Sequence, residues 1–314
     1  MSQRRALAAL ALLACLAGCA TSPRNEYAVG SAQSLPRHME LADVPFYPQE
    51  KYQCGPASLA MVLGSAGVTR SPQQLEDQVY LPTRQGSLQP EMLGASRRAG
   101  VVPYVLEAKP DALLQEVAAG NPVVVLQNLR FDAWPQWHYA VVVGYDLAGD
   151  HVVLRSGREK RLVVRVEDFE RSWARAQRWA FVVVPTDRLP ATARESDFVA
   201  AVATFERVSP ANAARAYQTA LDAWPNNLFA RMALGNLYYH QGRRDDALAQ
   251  YRQAAAAHPD AADAWNNLAQ VLLEQGQIED ARAAASRAVA IGGPHLPTYE
   301  STMRSIDGAA AAPQ

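Results

Sequence analysis

The chain has 314 residues, 49% of them hydrophobic, with 30 Lys plus Arg against 31 Asp plus Glu. The balanced charge excludes bulk electrostatic attraction to nucleic acid or to an anionic surface, and the apolar share is that of globular domains. The length suggests two domains.

The chain opens MSQRRALAALALLACLAGCATSPRN. Arg4 and Arg5 precede an apolar run from Ala6 to Ala17. That run is shorter than the roughly 20 residues of a membrane span but suits a secretory signal. Its end, Leu16-Ala17-Gly18-Cys19, resembles a bacterial lipobox. The resemblance implies a signal over 1–19, cleavage before Cys19 and lipidation of Cys19. With Ala20 following, it also implies an outer-membrane anchor facing the periplasm. Residues 20–40 are polar, with scattered Ser, Gly and Pro, and read as a flexible tether. After such processing Cys15 is gone and Cys19 is occupied, so Cys54 is left as a lone thiol in an oxidising compartment. It is either a buried inert residue or a nucleophile, and composition leaves both open.

Residues 41–186 alternate short helical and strand-like segments. An apolar helix is expected from Cys54 to Leu63, with Pro56 in its first turn. SPQQLEDQVY opens on a Ser-x-x-Gln capping box at Ser71. GSLQPEMLGASRRAG and PDALLQEVAAG offer two more helices, the second leading into a strand from Pro122 to Leu126. HYAVVVGYD and HVVLRSG, joined by LAGD, read as an antiparallel hairpin. RLVVRV and WAFVVVP add two strands. Helices first and strands second indicate an α+β domain.

From about residue 190 a different rule applies. Pro225 and Pro259, Gly242 and Gly276, Ala247 and Ala281, and Ala254 and Ala288 each stand 34 residues apart. One step back from Ala247, Tyr251, Ala254 and Pro259 gives Ala213, Tyr217, Ala220 and Pro225. This is the period of the tetratricopeptide repeat, an all-α solenoid of helix pairs. Three units fit, 193–226, 227–260 and 261–294, the first with a degenerate leading helix, and about 295–306 is left to cap the end.

The chemistry centres on Cys54, at the N-terminus of its helix, where partial positive charge would favour a thiolate. A nucleophilic cysteine needs a base, most often a histidine distant in sequence. His38 falls in the expected tether, and His240, His258 and His295 fall in the repeats. That leaves His138, at the start of an apolar strand, and His151, beside an acidic turn. If the hairpin turns near Ala148 and Gly149, His138 faces positions around 156–158, which include Ser156.

YQCGPASLAMVLGSAGV, GNPVVVLQN and HYAVVVGYD resemble the papain-like cysteine peptidases that remove double-glycine leaders from bacteriocin precursors. The resemblance covers 41–186. It implies that Cys54 attacks a carbonyl carbon, that His138 takes the thiol proton, and that Gln49 donates its amide to the oxyanion beside the backbone N–H of Cys54. Two departures stand out. Gln49 precedes Cys54 by five residues where the family's glutamine precedes by six, with Gln53 the nearer but worse-directed alternative. The family's third residue is usually Asp, and Ser156 takes that place here. A serine hydroxyl can hold the imidazole tautomer but cannot stabilise imidazolium as a carboxylate does.

The sequence thus leads to a lipid-anchored hydrolase that needs no cofactor or metal. It would act on a peptide or protein substrate, with a protein partner on the repeats, the membrane reached through Cys19, and no nucleic acid. A non-catalytic adaptor and a thioester transferase are the competing expectations.

Overall fold

The computed structural model of the chain describes residues 35–49 and 52–311. Cys15, Cys19 and the expected signal lie outside them. The described chain begins with a strand, β1 (His38–Glu40), where the tether was expected to run on to residue 40. Three residues reading His-Met-Glu carry no strand signal of their own. They are ordered by pairing, His38 with Asp146 and Glu40 with Gly144.

Three helices follow, α1 (Cys54–Ser65), α2 (Pro72–Val79) and α3 (Gln89–Arg98), with a short hairpin, β2 (Tyr80–Leu81) and β3 (Gly86–Ser87), between the last two. The α2 capping box forms as the sequence predicts, with Ser71 Oγ accepting from Gln74 N and Gln74 Oε1 accepting from Ser71 N. Next come β4 (Val102–Val105), α4 (Pro110–Ala118), β5 (Val123–Asn128), β6 (Trp137–Asp146), β7 (His151–Ser156), β8 (Glu159–Arg165), α5 (Val166–Ala174) and β9 (Ala180–Val184).

The strands form one seven-stranded sheet in the order β4-β9-β5-β6-β7-β8, with β1 on β6, and each pairing is antiparallel. Successive side chains of a strand point to opposite faces. Val124, Val141, Val143, Val153 and Phe181 pack under α1–α3. Val123, Val125, Ala140, Val142, Val152 and Leu154 enter the core on the other face. Burial on both faces explains why the strands read as continuous valine runs rather than alternating patterns. β4 was not expected from the sequence, since Pro103 interrupts it. At the sheet edge the missing N–H is tolerated.

Seven helices complete the chain: α6 (Glu195–Ala203), α7 (Pro210–Ala223), α8 (Leu228–His240), α9 (Arg244–Ala257), α10 (Ala262–Glu274), α11 (Ile278–Ile291) and α12 (Leu296–Ala311). They pair at the expected period. Gly242 and Gly276 turn α8 into α9 and α10 into α11 with φ of +74° and +73°, a left-handed conformation that explains glycine at both. The Tyr251 ring lies on Gly235, where a Cβ would come within 2.6 Å.

The first repeat does not stand apart from the sheet. Phe198, Val202, Phe205 and Tyr217 share one core with Val102, Tyr104, Leu113 and Val184. Glu116, fully buried on α4, anchors the connection. Its carboxylate accepts from Thr192 N at 2.7 Å, Thr192 Oγ1 at 2.6 Å, Ala191 N at 3.2 Å and Asn121 Nδ2 at 2.6 Å. Tyr104 Oη donates to Thr192 O and accepts from Arg194 N, both at 3.2 Å.

Glu116→Ala would leave buried donors without an acceptor, each costing about 1–3 kcal/mol. We expect a loss of about 3 kcal/mol in urea unfolding and faster amide exchange around 187–205. Unchanged exchange there would mean that the connection is held by the apolar contacts alone.

Candidate active site

Cys54 is the first residue of α1 and His138 the second residue of β6, and both line a cleft of about 900 Å³ between the helical side and the sheet. The Cys54 thiol takes backbone N–H groups of Tyr139, Gly55 and Cys54 itself. Tyr139 follows His138 in the chain, so the thiol sits against the strand end that carries the imidazole. A Cβ on Gly55 would come within 2.2 Å of Ser87 Oγ. Glycine next to the thiol therefore lets β3 close over the start of α1.

Ser156, the last residue of β7, has its Oγ 2.8 Å from His138 Nε2. That contact leaves Nδ1 as the ring nitrogen open to a proton donor. The neighbouring Arg155 is 2% exposed and ties the strand to the segment before Gln49, donating to Ala42 O at 3.1 Å, and it also donates to Lys160 O in β8.

Gln49 is 7% exposed and bound on every side. Its backbone N–H donates to Gly157 O at 2.9 Å, and its Oε1 accepts from Gly157 N at 2.9 Å. Its Nε2 donates to Ser58 Oγ and Tyr139 O, each at 3.3 Å. Gln49 thus clasps the turn after Ser156 and reaches the carbonyl one residue past His138. It connects the three segments that carry Cys54, His138 and Ser156. Sequence reasoning assigned it only an oxyanion contact and missed this clamp, for which the sequence carries no signal. Gln53 turns away, donating to Glu76 Oε2 at 3.1 Å. His38 lies in β1 beside Asp146, and His151 pairs with Asp146 across the hairpin, so neither joins the cleft.

Local strain marks the rim. Tyr52, Gln85 and Gln177 line the cleft with φ of +69°, +50° and +57°. Non-glycine residues seldom adopt this region, and they cluster at functional sites when they do.

The electrostatics depart from the expected thiolate. Burial raises the Cys54 thiol above its ordinary range, and the three backbone N–H contacts only partly oppose this. Burial also lowers His138 to about 4. Both shifts favour the uncharged forms, so the resting site holds a neutral thiol and a neutral imidazole. The helix N-terminus is present, but desolvation outweighs it.

The Peptidase C39 like family matches residues 41–181, and the tetratricopeptide repeat matches 209–245 and 232–295. Among solved structures, a crystal structure described as a C39-like peptidase from Bacillus anthracis is 20% identical, covering 47% of this chain and 97% of that one, with a TM-score of 0.41. The first tetratricopeptide repeat domain of Spaghetti bound to an HSP90 peptide is 17% identical over 37% of this chain and 96% of that one, with a TM-score of 0.34. MamA is 21% identical over 37% of this chain and 64% of that one, also with a TM-score of 0.34.

The low value at His138 has a consequence for stability. The unfolded chain binds a proton at this histidine near its ordinary 6.5, whereas the folded chain binds it only near 4. Stability from this group is therefore complete above 6.5 and is lost as pH falls toward 4, by at most roughly 3 kcal/mol. Urea midpoints of wild type should drop more steeply across that window than those of His138→Asn. Parallel slopes would place the imidazole in water.

Proposed function

We propose that this chain, which carries a C39-like peptidase domain over 41–181 followed by tetratricopeptide repeats over 209–295, is a cysteine peptidase that cleaves a peptide bond through a thioester at Cys54. The observation that carries the reading is the joint placement of a helix-terminal thiol and an imidazole held at Nε2 by Ser156 in one cleft.

In this reading Cys54 Sγ attacks the carbonyl carbon while its proton passes to His138 Nδ1. The tautomer required has Nε2–H donating to Ser156 Oγ, a role the 2.8 Å contact accommodates. The carbonyl oxygen, now anionic, takes the backbone N–H of Cys54, and Gln49 joins once its amide leaves Ser58 or Tyr139. The C–N bond breaks, the amine departs with the proton from His138, and water then hydrolyses the thioester to the acid and the free thiol. Because the resting pair is neutral, proton transfer accompanies attack rather than preceding it. Lipidation of Cys19 would hold this chemistry at the outer membrane, and the repeats, a type of module that generally binds proteins, would recruit substrate or partner.

A second reading has one observation in its favour. A raised thiol beside an imidazole without a carboxylate also suits a non-catalytic scaffold. The two separate on digestion of a peptide library by the chain beginning at residue 20. Cleavage should vanish in Cys54→Ala and fall about 100- to 10,000-fold in His138→Ala. No cleavage by wild type, or equal cleavage by Cys54→Ala, would leave the scaffold reading in possession. Added amines appearing on the product would instead indicate a transferase.

Ser156→Asp adds a negative charge at hydrogen-bond distance from the imidazole. It should raise the titration of His138 from about 4 by about 1–3 pH units, read by NMR. An unmoved titration would mean that the Ser156 contact does not persist in solution.

A further inference from the structure

The cleft differs in charge from the chain that builds it. Of its described lining residues, Arg84 and Arg175 are the two that carry a fixed charge, and no carboxylate is among them. Arg84 ends the short 3-10 turn Pro82–Arg84 on the helical side, and Arg175 follows α5 on the strand side. Many other arginines of the chain are committed to carboxylates: Arg161 to Glu40, Arg171 to Glu167, Arg194 to Asp197 and Arg244 to Glu274. Neither cleft arginine has such a partner among the described residues.

A second feature adjoins it. The loop between β5 and β6 displays Phe131, Trp134 and Trp137, which are 73%, 78% and 54% exposed. The loop is held in shape from below. Asn128, 1% exposed, accepts from Arg130 N at 3.1 Å and Gln136 N at 3.0 Å. Leu129 N also donates to Gln136 O at 2.9 Å. A buried amide spent on fixing a loop whose aromatics face water gives a preformed surface. Trp137 and Pro135 continue it into the wall of the cleft beside His138.

We infer that the cleft selects an acidic peptide. Carboxylates flanking the scissile bond engage Arg84 and Arg175, and a large apolar side chain rests on the Trp134–Trp137 shelf. This deepens the hydrolase reading and rests on it. Arginine takes carboxylates in paired, charge-assisted hydrogen bonds. Tryptophan and arginine are also the residues that dominate binding energy at interfaces. Continuity of the shelf with the cleft assigns it to the peptide rather than to a lipid surface.

The test uses the chain from residue 20 with Cys54→Ala, so that binding is read without turnover. Two short fluorescein-labelled peptides share a central Leu-Trp and differ in Asp against Lys on either side. The Asp peptide should bind about tenfold tighter at low salt, the equivalent of two modest ion pairs. The difference should shrink at high salt, and the double variant Arg84→Glu/Arg175→Glu should reverse it. Equal binding, or tighter binding of the Lys peptide, overturns the inference. Trp134→Ala should weaken the Asp peptide and leave its charge preference intact. If it alters binding only to phosphatidylglycerol vesicles, the shelf belongs to a membrane and that half falls. Cleavage by the wild-type thiol is scored separately. Cleavage without charge preference sinks this inference and keeps the hydrolase. Selective binding without cleavage keeps the recognition and sinks the hydrolase.

Discussion

The rest of the structure depends on β6. Its ten residues pair with β5 along one half, with β1 along the other, and with β7 on the opposite edge. A strand surrounded in this way must be apolar on both faces, and from Tyr139 to Tyr145 it is. Only its first turn out of the core is free to hold chemistry. His138 stands there, and Tyr139 presents its N–H to the Cys54 thiol and its carbonyl to Gln49 and Ser58. A shift of one residue in the β6 register would turn His138 to the other face and misplace both backbone contacts. The valines that fix the register therefore position the site as directly as any polar group does.

The same burial sets the electrostatics. Bringing a thiol and an imidazole out of water disfavours thiolate and imidazolium alike. A carboxylate on Nε2 would oppose this for the imidazole, and Ser156 supplies only a hydroxyl dipole. The arrangement therefore disfavours a standing ion pair. On the hydrolase reading, the full cost of charge separation would be met only when a substrate carbonyl and its donors are in place.

What the sequence made legible follows the range of the interactions involved. The Cys54 helix, the Ser71 cap, the β6–β7 hairpin and the 34-residue period are written in neighbours or in a fixed offset. The hairpin brings His138 and Ser156 together as diagonal neighbours on one face, since a turn near Gly149 sets the register of β6 and β7. β1 and β4 were hidden because a three-residue His-Met-Glu segment and a proline-interrupted run become strands only when a partner edge exists. The raised thiol escaped for a related reason. A helix N-terminus is visible locally, whereas desolvation is decided by α1, β3 and β6 together. The Gln49 clamp joins residues 90 and more positions apart and leaves no local trace.

The junction of sheet and repeats bears on how the two halves work. A linker of ordinary polarity would let the repeats swing, and their binding face would then have no fixed relation to the cleft. Here the connection is buried on Glu116 and Tyr104, and the first repeat contributes Phe198, Phe205 and Tyr217 to the core beneath the sheet. α6 is short and departs from the repeat pattern because one of its faces is shaped to the sheet edge at β4 rather than to another repeat. Its degeneracy is the mark of that second contact. The first repeat therefore extends the C39-like domain through a shared core, and the later repeats stack on it. On the proposed reading, a chain bound along the first repeat would lie at a set distance from Cys54, and the solenoid would restrict which of its segments enters the cleft.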